Sequence, residues 1–227
     1  MLKDVLLEAI DLQIRSGSVS ALKWLLSEAH RQEIPPEQLS LCAGLSHDTD
    51  VNELRALVSG HPLVRLFEMS DERLPGDPDT IPATRSLLQR GTQLIQRLLG
   101  GGWSVDEAAA RIQFRLNLGD DLLKEAARVR AFREAWASIV ADFSPTHTCS
   151  CNAWVQCMVQ YPPDAASPYD HAIRATLQAI SAITGGCDGL TIPTPRCPKG
   201  TCSREGSSVT FTICCAMKHS LIAWPIH

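Results

Sequence analysis

The sequence predicts an α/β protein built on a parallel sheet. Short apolar runs alternate with longer stretches whose apolar residues recur at helical spacing, and the links between them are short. A compact open sheet and a piece of a (β/α)8 barrel both fit this pattern. A whole barrel is excluded, because the 227 residues hold only four or five strand candidates and a complete barrel takes about 250 residues.

Composition is that of an ordinary globular chain. Hydrophobic residues make up 44% and charged residues 20%, enough for one domain with a core or for two small ones. The formal net charge of -4 argues against nucleic-acid binding. The sequence contains no run of about 18 apolar residues, so no membrane span is predicted. The N-terminus has neither an apolar leader nor a cleavage site, so a cytoplasmic protein is expected.

The first third of the chain predicts three helices and two strands. Apolar residues at helical spacing predict a helix over residues 2–17, and Ser18 or Ser20 is expected to cap the next one. Strands are predicted at 39–43 and 64–69, with a short helix between them.

The middle of the chain carries the most regular helix. Leucine and isoleucine form one stripe over residues 87–99, with Pro82 in the first turn and three glycines at the end. Ser104 and Glu107 form a capping box for a short helix, which precedes a predicted strand at 112–116.

Two helices and a strand complete the pattern before the character of the chain changes. A long helix is predicted after Gly119, and a strand at 190–192. Residues 1–193 are therefore the predicted folding unit, and the turn-rich residues 194–227 an irregular, cysteine-rich tail in which 209–213 could add a strand to an open edge. The last predicted helix, which begins at Pro168, places four apolar residues on one face: Ile173, Leu177, Ile180 and Ile183.

Three segments carry a resemblance to a known family. Residues 104–116 contain an Arg-x-x-Phe strand beginning at Arg111, residues 123–136 are rich in alanine and arginine and end in Trp, and residues 168–186 form a Pro-Tyr helix with a Gly-Gly stop. In this order they resemble the later barrel half of the methylmalonyl-CoA mutase family, over residues 36–193. The resemblance implies a partial (β/α)8 TIM-type barrel, its second half, rich in helices.

The resemblance also implies a reaction and a cofactor. In this family a barrel encloses the acyl-CoA chain and adenosylcobalamin lies against the barrel mouth, where methylmalonyl-CoA is isomerised to succinyl-CoA through radicals. This sequence lacks the family's Asp-x-His-x-x-Gly cobalt-ligand motif, and residues 68–76 lack the His and Tyr of the matching Gly-Tyr-His segment. A small-subunit type of chain is therefore expected, without catalytic residues. It would partner a large catalytic subunit and bind no adenosylcobalamin alone.

Two residues are candidate acyl-CoA contacts, and no metal site is predicted. Arg111 matches a CoA-phosphate arginine of the family, with a solvated arginine at a strand start as the alternative. His147 stands in the stretch matched to the family's His-x-Gln-x-Ser-Gly segment, with a surface loop as the alternative. Arg128, Arg130 and Arg133 are interpreted as a solvated helix face.

The cysteines leave a second function open. Eight of the nine lie beyond residue 148, and Cys149-x-Cys151 with Cys197-x4-Cys202 only weakly approximates the spacing of zinc ligands. Free thiols are the favoured interpretation. The alternative function is a cysteine-based metal-binding or redox module with no mutase role.

Overall fold

The computed structural model describes residues 7–14, 17–46, 48–72, 79–161, 168–193 and 211–214. The strands in chain order are β1 (Asp11–Gln13), β2 (Ser40–Leu45), β3 (Val64–Ser70), β4 (Ile112–Asn117), β5 (Trp154–Met158), β6 (Gly189–Ile192) and β7 (Phe211–Cys214). The α-helices are α1 (Val19–Arg31), α2 (Val51–Leu57), α3 (Ile81–Gly100), α4 (Val105–Ala110), α5 (Leu122–Asp142) and α6 (Pro168–Gly185). Two 3-10 turns lie at Leu7–Ala9 and Thr148–Cys151.

The strands lie in the sheet in the same order as in the sequence. Each of β1 to β5 pairs in parallel with the next strand, so the sheet grows in one direction only from β1 to β6. Right-handed crossovers then place every connecting helix on the same face, and the sheet curls around the other. A doubly wound sheet would reverse its strand order, so the predicted partial barrel is confirmed and the compact open sheet is not.

The last strand runs the other way. β7 pairs antiparallel with β6, with Phe211 opposite Ile192 and Cys214 opposite Gly189. Its four residues overlap the segment 209–213 that was expected to add an edge strand, and they therefore belong to the sheet. The remaining residues of the predicted tail lie outside the described part of the chain, so the division at residue 193 stays a prediction.

Helix starts follow the predicted caps. The Ala21 amide donates to the Ser18 hydroxyl at 3.2 Å, which selects Ser18 over Ser20. In the capping box the Glu107 amide donates to the Ser104 hydroxyl at 3.2 Å, and the Ser104 amide donates back to the Glu107 carboxylate at 2.9 Å. These bonds satisfy amide groups that a helix start leaves without partners.

Two strands differ from the prediction. The helix predicted over residues 2–17 is wrong where the structure describes it, because Leu7–Ala9 forms a single 3-10 turn and Asp11–Gln13 is strand β1. β5 follows a segment that reads as irregular and was not predicted. β1 has three residues and pairs with Ser40–Cys42 of β2, a partner distant in the sequence.

The hydrophobic core lies between the sheet and its helices. Phe114 on β4 packs edge-on against two aromatic residues of α5, at 4.9 Å between ring centroids for Phe132 and 4.5 Å for Trp136. Helix α3 reaches the same rings at Gly91, where a Cβ atom would lie 2.7 Å from Trp136 and 3.0 Å from Phe114. A glycine is therefore required where α3 crosses this cluster.

Helix α6 presents its apolar stripe in an unexpected direction. The helix packs on α5 through Gly185, where a Cβ atom would lie 2.7 Å from the Cβ of Val129. The predicted stripe exists as one face of the helix, and this face points away from the core. Its members are all exposed: Ile173, Leu177, Ile180 and Ile183.

Replacing Gly91 by alanine is expected to lower the free energy of unfolding by about 1–3 kcal/mol, because rigid rings surround the new methyl group. Gly100→Ala is the matched control in the same helix. Nothing lies within 4 Å of its Cβ position, so it should leave stability unchanged or raise it by up to about 1 kcal/mol. Urea unfolding of both variants measures the difference, and equal stabilities would contradict the crowding at Gly91.

Candidate functional site

Polar side chains alternate with apolar ones along the central strands. On β4, Gln113 and Arg115 alternate with Phe114, which faces the helices. A bulge in β3 brings two further charged residues to the same polar face. The amides of Leu66 and Phe67 both donate to the Arg111 carbonyl, so Arg65 contacts Gln113 while Glu68 contacts Arg115. We call this side of the sheet the concave face.

Arg65 lies at the centre of the concave face. Its Nε donates to Gln113 Oε1 at 2.9 Å, and its NH2 group donates to the Asp11 carboxylate. The guanidinium carbon lies 3.9 Å from the ring centroid of Trp154, a cation–π distance. Arg65 is 4% exposed, so its charge is held by a carboxylate, an amide and an aromatic ring instead of water.

Glutamines extend this cluster across the interior of the curled sheet. Gln113 Nε2 donates to Gln13 Oε1 of β1 at 2.8 Å, and Gln13 Nε2 lies 3.5 Å from Gln156 Oε1 of β5. Gln156 in turn donates to the Thr191 hydroxyl of β6 at 2.6 Å. We call this cluster, with Arg65 and Asp11, the interior network. It joins β1 to β6 across the concave face.

A cleft of about 460 Å³ opens at the carboxyl ends of β2 and β3, beside α3. Two arginine–glutamate pairs line it. Arg115 donates to Glu68 at 3.2 Å, and Arg90 donates to Glu72 at 2.7 Å and to the Ser70 carbonyl. In α/β barrels the active site lies at this edge of the sheet. Here each cation already has a carboxylate partner.

The arginines of α5 have three different environments, which corrects their interpretation as a solvated face. Arg128 is buried, donating to Asp71 at 3.0 Å, to Glu125 at 2.9 Å and to the Asn117 carbonyl at 2.6 Å. Arg133 is half-buried and contacts Gly186 and Asp188 in the loop between α6 and β6, while Arg130 is exposed. The Arg128 cluster therefore fixes the start of α5 to the ends of β3 and β4.

Arg111 lies at the amino end of β4, opposite the cleft. Its NH1 group donates to the carbonyls of His61 at 2.7 Å and Val64 at 2.6 Å, and its NH2 group lies 3.5 Å from the Val58 carbonyl. Burial lowers the pKa of its guanidinium. These contacts tie β4 to the turn before β3, and its predicted contact with a CoA phosphate stays a prediction.

His147 is exposed and precedes β5, also at the amino edge of the sheet. Its loop is fixed by Asp106 of α4, whose carboxylate accepts from the Ser150 hydroxyl at 2.5 Å and from the amides of Thr146 and His147 at 3.0 and 3.1 Å. The Ser150 hydrogen bond, with these amides, lowers the pKa of Asp106 to about 2. The structure thus places both residues at the amino edge of the sheet, with Arg111 directly before β4 and His147 in the segment that leads to the neighbouring β5.

The cysteines of the described segments do not converge on a metal. These segments contain no group of three or more His, Cys, Asp or Glu residues that could hold an ion. Cys157 and Cys187 are buried together, and their hydrogen bond and burial raise the pKa of the Cys157 thiol. Burial also raises the pKa of Cys42 to about 12, whereas Cys149 is exposed. Cys197, Cys202 and Cys215 lie outside these segments.

The sequence-based prediction missed the interior network. Its signal was present in the strand sequences, where Arg65 interrupts an apolar run and Gln113 and Gln156 each stand between apolar neighbours. Period-two polar positions inside buried strands indicate a polar interior face.

No helix of the described residues is long and apolar enough to span a bilayer.

The fold and its polar interior define the class of protein to which this chain belongs. It is a segment of an α/β barrel whose strands lie in the sheet in sequence order. Residues 85–194 match the methylmalonyl-CoA mutase family. Over these residues, which include the motifs at 104–116, 123–136 and 168–186, the chain is similar to that family.

Three relatives illustrate the similarity. Methylmalonyl-CoA mutase of Rhizobium meliloti is 30% identical over 104 residues, which are 45% of this chain and 15% of the relative. The mitochondrial methylmalonyl-CoA mutase of Homo sapiens is 27% identical over 114 residues, which are 49% of this chain and 15% of the relative. The methylmalonyl-CoA mutase small subunit of Porphyromonas gingivalis is 25% identical over 118 residues, and the match covers 45% of this chain and 17% of the relative. The matched segments thus cover about one sixth of the relatives' own length.

The described residues do not fit the two groups that the family implies. An acyl-CoA chain that runs through a barrel needs an open interior, and here buried side chains bond to one another across it. The cleft at the carboxyl edge is lined by the Arg115–Glu68 and Arg90–Glu72 pairs, without a histidine to approach cobalt. This part of the chain offers a closed interior and a mouth of paired charges.

Arg111→Ala is expected to lower the free energy of unfolding by roughly 2–4 kcal/mol, because it leaves buried carbonyls without donors. Urea unfolding measures the change, with the dependence of the unfolding free energy on urea concentration held the same for both proteins. Arg85→Ala, at an exposed arginine of α3, is the control and should stay within about 0.5 kcal/mol of the wild type. An Arg111→Ala variant as stable as the control would contradict a structural role.

Asp106→Asn is expected to lower the melting temperature at neutral pH by loosening the loop that carries His147. A carboxylate whose pKa falls from 3.8 to about 2 on folding stabilises the protein above about pH 4, and this contribution is lost as the pH falls towards 2. The difference between wild type and variant should therefore close between pH 4 and pH 2. Asp142→Asn, at an exposed end of α5, should show no such closure.

Proposed function

We propose that this chain is a small-subunit-like part of an adenosylcobalamin-dependent methylmalonyl-CoA mutase, and that it supports a catalytic large chain. Isomerisation of methylmalonyl-CoA to succinyl-CoA then takes place in the assembled enzyme, in the cytoplasm. The observation that carries the proposal is the interior network, in which Arg65, Gln113 and Gln156 bond to one another across the interior where the resemblance would place an acyl-CoA chain.

Burial of the network supports a supporting role over a catalytic one. Gln113 is fully buried, and Gln156 and Arg65 are 1% and 4% exposed. Opening this interior would leave the Asp11 carboxylate and the Arg65 guanidinium without partners, which costs several kcal/mol for a buried pair. A substrate would have to replace these bonds as well as make its own.

The candidate acyl-CoA contacts belong to the same proposal. Arg111 and His147 lie on the amino edge of the sheet, where an acyl-CoA bound by the assembled enzyme would meet this chain from outside. His147 is the accessible member, since Arg111 is 8% exposed and donates to backbone carbonyls. The similarity to a mutase small subunit supports the presence of a larger partner.

The proposal is tested by mixing the purified chain with the large chain of a two-chain methylmalonyl-CoA mutase. Light scattering should detect a 1:1 complex, and adding this chain should raise the isomerase activity of the large chain. The chain alone should neither turn over methylmalonyl-CoA nor acquire a cobalamin absorbance spectrum.

His147→Ala serves as the internal control for the acyl-CoA contact. The variant should form the same complex as the wild type, because His147 is exposed and lies outside the core. Its KM for methylmalonyl-CoA should rise, because the proposed acyl-CoA contact is lost. Turnover by the isolated chain would overturn its supporting role, and failure to bind the large chain would overturn the partnership.

A further inference from the structure

Helix α6 carries an apolar face that the described residues leave uncovered. Together its members expose roughly 500 Å² of side-chain surface, the size of the largest patch on a typical monomer, which is often functional. They recur three or four residues apart, so the patch is continuous along the helix. We call this face the α6 stripe, and its members are 39% to 80% exposed: Tyr169, Ile173, Leu177, Ile180 and Ile183.

The chain leaves β7 at the end of α6 where the stripe begins. Cys214, the last residue of β7, pairs with Gly189, the first residue of β6. Residues 186–188 join α6 to β6, and the Gly186 amide donates to the Ile183 carbonyl at 3.0 Å, which keeps this link close to the helix end. Paired residues of antiparallel strands lie about 5 Å apart. Cys214 is therefore within a few residues' reach of Ile183.

The residues that follow β7 are long enough to cover the stripe. α6 has 18 residues, about 27 Å as a helix. Residues 215–227 span about 20 Å as a helix and about 40 Å when extended. In either conformation they reach from Ile183 to Ile173.

The pattern of residues 215–227 also suits the stripe. Met217, Leu221 and Trp224 recur at positions i, i+4 and i+7, which is one face of a helix, and Pro225 marks its end. Lys218 is the one formally charged residue of this segment. Packing the segment on the stripe would therefore remove two apolar surfaces from water at once.

The other segment near β6 does not have this character. Residues 194–208 contain no leucine, isoleucine, valine, methionine or aromatic residue. They have too little apolar surface to offset the entropy that ordering on the stripe would cost. Residues 215–227 are thus the part of this chain whose composition matches the stripe.

We infer that residues 215–227 fold back from β7 and pack on the α6 stripe, antiparallel to α6, with Met217 beside Ile183 and Trp224 beside Leu177. The inference goes beyond the proposed function and does not depend on it.

The size of the stripe suits a segment of the same chain better than a separate molecule. A stable complex takes about 800 Å² from each partner, more than the stripe supplies. A segment joined to the same sheet acts at an effective concentration in the millimolar range, so a smaller contact suffices.

Thermal unfolding with and without the segment tests the inference as a double-mutant cycle. Ile173→Ser/Ile180→Ser should lower the melting temperature of the full chain by at least about 4 °C, because covered side chains lose apolar burial. The same substitutions should shift a variant that ends at Cys214 by less than about 1 °C, because both side chains there face water. Ile81→Ser is the matched control on α3, where Ile81 is 66% exposed, and its shift should be the same in both backgrounds.

Trp224 reports the contact in the full chain and needs no shortened variant. The difference between the fluorescence of the wild type and that of Trp224→Phe isolates its emission. This emission should lie at the short wavelengths of a buried indole and move to longer wavelengths in Ile173→Ser/Ile180→Ser. Ile81→Ser should leave it unchanged.

Three results would overturn the inference. The α6 substitutions could shift the melting temperature equally with and without residues 215–227. Trp224 could be buried but unaffected by the α6 substitutions, which would place the segment elsewhere, as on the outer edge of β1. The α6 substitutions could abolish self-association or binding to the large chain with no dependence on the segment, which would assign the stripe to a second molecule.

Discussion

The order of the strands is the constraint on which the rest of this molecule depends. Because β1 to β6 follow one another in parallel, every crossover has the same hand and every helix lies on one face. That face receives the aromatic core around Phe114 and Trp136. No helix of the described residues covers the other face, so the strands' own side chains occupy the inside of the curled sheet there.

Filling that space with polar groups requires that each one finds a partner. Arg65 has Asp11, Gln113 and Trp154, and Gln156 has Thr191. Each bond joins different strands, so a shift in register of β1, β3, β4 or β5 would break at least two of these contacts. Hydrogen bonds thus hold the strands together on the concave face, as apolar packing does on the convex face. Because each bond needs a particular partner, the hydrogen bonds fix the register of the strands more specifically.

Local signals were predictable from the sequence, and long-range ones were not. The caps at Ser18 and Ser104 depend on neighbours three residues away, so the pattern suffices to find them. β1 depends on pairing with β2, and no local feature marks it as a strand. The α6 stripe was found as a face of a helix, but its direction depends on Gly185, where α6 meets α5. For the site, Arg111 and His147 were predicted by motif, whereas the network around Arg65 required the strand register.

The antiparallel β7 determines from which side this sheet can grow. A further parallel strand beside β6 would need the same amide and carbonyl groups that Phe211–Cys214 use. Any chain that extends the curl towards a closed barrel must therefore join at β1, or displace β7 first. Growth of the barrel is in that sense directional, and the orientation of four residues decides its direction.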